Sequence, residues 1–460
     1  MIYIIYILLF YVLFIVYLNL KYPETRWDWN IEKNNKFKLP ESFFWGTATA
    51  SHQVEGGCKN NNWYKWENNF DDEGKPRIKD NQVAGDACDH WNRYNDDILM
   101  LKELGVTHYR FSIEWSKIEP KQNQFNENAL KHYDDVIDAL LKNNITPYIT
   151  FHHFTNPVWF DEMGAFENEN NIACFLNFCK IVFERYSDKV KHWCTINEPE
   201  VYASMGYFAG VFPPGKKNAQ LSAIVQKNML IAHTQLYHML KKTPNGKESQ
   251  IGIVKNVMQF DPSRRWNLLD WLACIFTDTV YNKMSFSYFS TGKISIFIPT
   301  LVKLFYSNKN AMKSTDFFGL NYYSHVHVKF QFDKHEFFTN TFPENDTMTD
   351  MPYTIYPEGF YRAIKSVESV GVPIIVTENG IADAKDDRRA LYIKRYIYAM
   401  KKAIGEGSNI KGYFYWSLMD NFEWAEGYDM KFGLYEVDFK TQKRTLRQGS
   451  KAFIEIIDES

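Results

Sequence analysis

The chain has 460 residues, a formal net charge of −2, and lysines and arginines scattered without a basic stripe. That length supports a large buried core, and the charge distribution excludes the electrostatic footprint of a nucleic-acid binder. The six cysteines show neither CxxC nor Cys/His metal spacing, so no metal site is expected and free or buried thiols are the default.

Residues 1–20 carry no charged side chain, and only Asn19 and four tyrosines interrupt the apolar run. At about 1.5 Å rise per residue, such a helix just spans a bilayer core. A cleaved signal is the competing reading. The run lacks a basic leading region and a small-x-small site before Lys21, so a single-pass N-terminal membrane anchor is expected instead. Lys21, Arg26, Lys33, Lys36 and Lys38 all follow the run and favour a cytoplasmic main domain. Large domains override that bias, and the Asn144 and Asn345 glycosylation patterns are too short to decide it. The membrane side therefore stays open.

Residues 21–39 are polar and irregular and read as a linker into a domain at 40–460. From there strand and helix signals alternate. Strands are expected at 43–48, 107–112, 146–151, 191–196, 250–255, 316–321, 373–377 and 411–416. Between them, Ile98, Leu101 and Leu104 stop at Gly105, and Leu130, Tyr133, Ile137, Leu140 and Leu141 recur at helical spacing with one buried face. Eight strands alternating with helices imply a parallel (β/α)8 TIM barrel, single-domain, with insertions at 256–315 and 323–356. A doubly wound open sheet is disfavoured because no GxGxxG or phosphate loop follows the first strand.

Two of these strands are followed closely by a glutamate just before a turn, in Thr195-Ile196-Asn197-Glu198-Pro199 and Thr377-Glu378-Asn379-Gly380. Barrel enzymes keep their chemistry at the carboxyl ends of strands, so the fourth and seventh would deliver two carboxyls to one mouth. Such a pair suits glycosidic-bond cleavage. Aromatic residues make up 17% of the chain, and their faces are what sugar C–H surfaces pack against.

With these two motifs stand Phe44-Trp45-Gly46-Thr47-Ala48-Thr49-Ala50-Ser51-His52-Gln53-Val54-Glu55-Gly56, Asp316-Phe317-Phe318-Gly319-Leu320-Asn321-Tyr322-Tyr323 and Trp416-Ser417-Leu418-Met419-Asp420-Asn421-Phe422-Glu423-Trp424. Together, and in this order, they resemble the signatures of family 1 glycoside hydrolases, the β-glucosidase family. The resemblance covers residues 40–456. It implies Glu198 as general acid/base and Glu378 as nucleophile of a retaining double displacement, in which the carboxyls stand roughly 5–5.5 Å apart in opposite protonation states. It further implies Asn197 at the sugar 2-hydroxyl, and Gln53, His153 and Glu423 as hydroxyl ligands. Trp416 would be the stacking platform and Trp424 a hydroxyl donor, while Arg110, Asn321 and Tyr323 would support the nucleophile. No cofactor is implied.

Glu423 points to a neutral sugar, since relatives acting on 6-phosphorylated sugars lack an acid there. The implied substrate is a terminal β-glucoside, with fucose or galactose as further sugars, on an oligosaccharide, aryl or lipid aglycone. A membrane-displayed sugar receptor with a relict pocket is the alternative from another class, and intact Glu198 and Glu378 argue against it. Transglycosylation, with a sugar acceptor replacing water, is a third reading. Two departures from the family pattern flank the pocket. Phe154 stands in His153-Phe154-Thr155-Asn156-Pro157 where His-Trp-Asp-Leu-Pro is common, removing an indole N–H, and Glu200 adds a carboxylate that would raise the Glu198 pKa unless it is paired or solvated.

Overall fold

The computed structural model describes residues 2–32, 37–331, 338–342 and 346–460; Lys33, Lys36 and Asn345 lie outside them. Eight parallel strands close into a barrel in chain order: β1 (Phe44–Ala48), β2 (His108–Ser112), β3 (Thr146–His152), β4 (His192–Asn197), β5 (Gln250–Asn256), β6 (Phe317–Asn321), β7 (Ile374–Asn379) and β8 (Ile410–Trp416). Closure is made by β1 against β8, with Phe44 opposite Gly412. All eight strands therefore fall where the apolar runs place them, within two residues at either end.

Strand alternation decides what fills the barrel. Phe44, Tyr148, His192 and Phe414 pack together at its amino-terminal end, Tyr148 stacking on His192 at 4.2 Å and on the edge of Phe414 at 5.0 Å. Small residues opposite make room: a Cβ on Gly412 would come within 2.2 Å of the Phe44 ring. Trp45, one residue on, points outward onto Phe453 of the last helix, Lys451–Asp458. The closed aromatic end leaves the carboxyl end open for a site.

Helices follow each strand and bury one stripe on the barrel. In Glu127–Lys142, Asn126 caps the first turn through the N–H groups of Asn128 and Ala129, and Leu130, Tyr133, Ile137 and Leu140 face inward. Leu141 departs from the expectation and is exposed, because it falls one residue off that stripe. Insertions at 256–315 and 323–356 build a side sheet in which Gln259–Pro262 pairs with His325–Phe330, and a hairpin of Lys293–Ile298 with Val302–Ser307.

Among the described residues, Ile2–Lys21 is the one helix long and apolar enough to cross a membrane. The segment after it lies on the barrel: Trp27 N–H donates to Glu358 and Tyr356 Oη donates to the Thr25 carbonyl. All six cysteines are free, five of them buried.

Candidate active site

Strand ends at the open mouth surround a cavity of about 990 Å³ whose wall includes Glu198, Glu378, His153, Tyr323, Trp416, Glu423 and Trp424. Local backbone irregularities aim these groups. Pairing of β4 with β5 shifts register between Cys194 and Asn197, and β7 shifts against β6 between Val376 and Glu378, so each glutamate follows a bulge. Glu198 itself has φ 46°, a left-handed conformation, and Pro199 then opens the helix Pro199–Ala203. Phe154 (φ 69°) and Trp424 (φ 47°) share that sparsely populated region, which clusters at sites where side-chain direction matters.

Glu378 is clamped on both oxygens. Arg110 Nη1 donates to its Oε1 at 2.6 Å and Tyr323 Oη donates to its Oε2 at 2.7 Å. Burial pushes its carboxyl up, opposed first by the Arg110 charge and then by the Tyr323 bond. Tyr323 is held far above the ordinary phenol range by burial and the Glu378 charge, so it stays a donor.

Among the described residues, Glu198 has no cationic partner. Its Oε1 accepts from the Asn321 amide at 2.7 Å and the Asn256 amide at 3.0 Å. Burial drives its carboxyl well above the usual carboxylate range, and the charges of Glu378 and Glu200 push the same way. One buried carboxyl is thus favoured as the acid and its neighbour, tied to arginine, as the carboxylate.

Asn197 links the two sides. Its Oδ1 accepts from Arg110 Nη2 at 2.7 Å and from Asn321 at 3.3 Å, which fixes the amide so that Nδ2 donates to His153 Nε2 at 3.1 Å. His153 must then carry its proton on Nδ1, which is buried with no partner among the described residues. Burial and the Arg110 charge keep this ring neutral. Gln53 Nε2 donates to Glu423 Oε2 at 3.1 Å, and its own Oε1 is buried with no partner among the described residues. The Glu423 carboxyl is pushed up to about 8 by burial, with the Gln53 bond opposing.

All the expected site residues converge, in two layers: seven line the cavity, while Gln53, Asn197, Arg110 and Asn321 stand behind, bonded to the lining groups. Three features were left unspecified by the sequence. Asn256 touches Glu198, and its place at the end of β5 is the signal that would have found it, since strand ends carry barrel chemistry. Glu200 does not reach solvent; it is buried and paired with Lys255, Nζ to Oε1 at 3.4 Å, while its Oε1 accepts the Asn256 N–H at 2.6 Å. Burial raises Glu200 and lowers Lys255, each opposed by the other's charge. Tyr281, from the long β5–β6 connection, donates to Asn256 Oδ1 at 3.1 Å and completes that wall.

A family model described as Glycosyl hydrolase family 1 matches residues 35–460. The 1,4-beta-D-glucan glucohydrolase of Thermotoga neapolitana is 35% identical over 448 residues, 91% of this chain and 98% of that protein. Among solved structures, a beta-glycosidase from Pyrococcus horikoshii superimposes with TM-score 0.82 at 36% identity, covering 92% of this chain and 95% of its own. The beta-glucosidase from Thermotoga maritima in complex with glucoimidazole gives TM-score 0.84 at 33% identity, covering 92% and 99%.

Proposed function

The chain belongs to glycosyl hydrolase family 1, and from that membership we propose that Glu198 and Glu378 are the acid/base and the nucleophile of its retaining β-glycosidase reaction. The observation that carries the assignment is the contrast between the two carboxyls: Glu378 is held on both oxygens by Arg110 and Tyr323, whereas Glu198 is held by the Asn321 and Asn256 amides.

In the first step Glu378 attacks the anomeric carbon as the C–O bond to the aglycone breaks, and Glu198 gives its proton to the departing oxygen. The Glu378 charge is consumed in the ester. That removes the repulsion which kept Glu198 protonated, so Glu198, now ionised, takes a proton from water as the water oxygen displaces Glu378. Two inversions restore the β configuration. Tyr323 and Arg110 receive the carboxylate back at the end of the cycle.

The sugar is a neutral terminal glycosyl residue, glucose in the first instance. Glu423, Gln53 and the unpaired Nδ1–H of His153 supply acceptors and a donor for its hydroxyls, and Trp416 supplies an apolar face. A phosphorylated sugar would bring a dianion to Glu423, a carboxyl that burial already keeps from ionising and that offers no positive charge to neutralise it. Both carboxyls and their supports being intact, catalysis rather than mere sugar capture is the reading the site favours. The Ile2–Lys21 helix tethers the enzyme to a membrane, where amphiphilic β-glycosides join soluble oligosaccharides as substrates.

Proton NMR of 4-nitrophenyl β-D-glucoside during turnover tests the stereochemistry. The β-anomer of glucose is expected first, with the α-anomer growing in only as fast as mutarotation. Initial release of the α-anomer would refute double displacement.

A further inference from the structure

The Ile2–Lys21 helix is docked along only half its length. Tyr11 Oη donates to the Trp266 carbonyl at 2.7 Å, and Asn19 Nδ2 donates to the Arg265 carbonyl at 3.0 Å. Arg265 answers with Nε to Asn19 Oδ1 at 2.7 Å and Nη2 to the Tyr22 carbonyl. Ile15 and Leu18 are buried on Trp271, Leu268 and Ile275 of the helix Leu268–Asp278. Ahead of Tyr11 the apolar residues from Ile2 to Phe10 are exposed. About nine residues at ~1.5 Å each reach about 14 Å. A bilayer core is about 30 Å thick, so the free part reaches only one leaflet deep.

Beside the docked half, Leu268–Asp278 turns a second face outward. Leu269 (41% exposed), Leu272 (52%) and Phe276 (37%) lie three and four residues apart on one stripe, with Trp266 (65%) just before them. At 3.6 residues per turn the stripe adjoins the face that Ile15 and Leu18 cover, and Trp266, whose carbonyl accepts from Tyr11, stands where the free half of the helix begins. In water an exposed surface of that kind is unfavourable, and a ring of Trp and aliphatic side chains next to an apolar helix matches the headgroup–acyl boundary.

We propose that the protein sits on a phospholipid bilayer as a monotopic enzyme, the free half of the Ile2–Lys21 helix entering one leaflet and the Trp266, Leu269, Leu272 and Phe276 face resting in its interface. This rests on the membrane tether proposed above and specifies its mode. A full span would instead have to strip Asn19 and Arg265 of their mutual hydrogen bonds and uncover Trp271. The β5–β6 connection that carries the patch also supplies Met258 and Tyr281 to the cavity wall, so the bilayer is brought to the side of the barrel where the active site opens.

The test uses the full chain with sealed phosphatidylcholine/phosphatidylserine vesicles, comparing flotation of the parent with Leu272→Glu/Phe276→Glu. It also asks from which side a membrane-impermeant maleimide reaches the thiol of a Tyr3→Cys variant, with partly exposed Cys174 marking the enzyme's side. The parent is expected to float, and the double variant to partition about tenfold less or weaker, with unchanged turnover of 4-nitrophenyl β-D-glucoside in detergent. The new thiol should be modified from neither side until detergent is added. Equal flotation of the double variant, or modification from the side opposite the enzyme, overturns the docking proposal and leaves the tether standing. A parent that does not float removes the tether itself.

Discussion

Tyr323→Phe removes one hydrogen bond and little else. The ring packs on Phe432 at 6.0 Å between centroids, and that contact survives, whereas the 2.7 Å bond from Oη to Glu378 Oε2 is lost. A hydrogen bond to a charged acceptor contributes about 1.5–3 kcal/mol, and about 1.4 kcal/mol equals one pKa unit. The bond favours the ionised carboxyl, so its loss raises the Glu378 pKa, and the acidic limb of kcat/KM moves up by about 1–2 units. At a pH on that limb the ionised fraction, and with it kcat/KM, falls about 10–100-fold, while the alkaline limb set by Glu198 moves much less. The assay is kcat/KM for 4-nitrophenyl β-D-glucoside across the pH range, with thermal melting to confirm the fold. An acidic limb within about 0.3 unit of the parent's, with melting unchanged, would refute the role of Tyr323 as a donor holding ionised Glu378.

Two further outcomes follow from buried charge. Lys255→Met leaves the Glu200 carboxylate buried without its cation and is expected to cost about 3–5 kcal/mol in chemical denaturation. Adding Glu200→Gln should recover most of that, because glutamine still accepts the Asn256 N–H and carries no charge; a double variant as unstable as the single would contradict the pairing. Glu423 behaves differently: its folded carboxyl titrates near 8, above the unfolded value. A raised pKa gives stability that is full below the unfolded value and lost as pH rises through the folded one. Discounted for partial exposure, the parent should lose about 1–2 kcal/mol relative to Glu423→Gln between pH 5 and 7. Melting curves with a constant gap between the two proteins over that window would show that Glu423 is not held protonated.

The barrel was legible because each of its strands is a short apolar run closed by a turn signal, and each helix a stripe at 3.6-residue spacing. Glu198 and Glu378 were legible for the same reason, standing where such runs give way to a turn. Contacts between residues far apart in sequence were not. Nothing local says that Lys255 meets Glu200, and although its strand-end position marks Asn256 for the site, the bond it makes to Glu198 depends on β4 and β5 being neighbours with a bulge between them. Residues 21–39 read as a linker from composition, yet Trp27 N–H donates to Glu358, the Thr25 carbonyl accepts from Tyr356, and Trp29–Glu32 forms a short helix. Polar, irregular sequence says little about where the chain lies. Leu141 shows the same limit on a smaller scale, since an apolar residue one position off the stripe looks like its neighbours until the helix is seen in place.

Chemical rescue of Glu378→Ala bears most directly on the assignment of the two carboxyls. The variant should lose almost all hydrolysis of 4-nitrophenyl β-D-glucoside, and added azide should restore release of nitrophenol. Azide fills the space left by the carboxylate and attacks from the same face, so the product is the α-glucosyl azide. Wild-type-like turnover without azide, or rescue that yields only the β-glucosyl azide, would contradict Glu378 as the nucleophile.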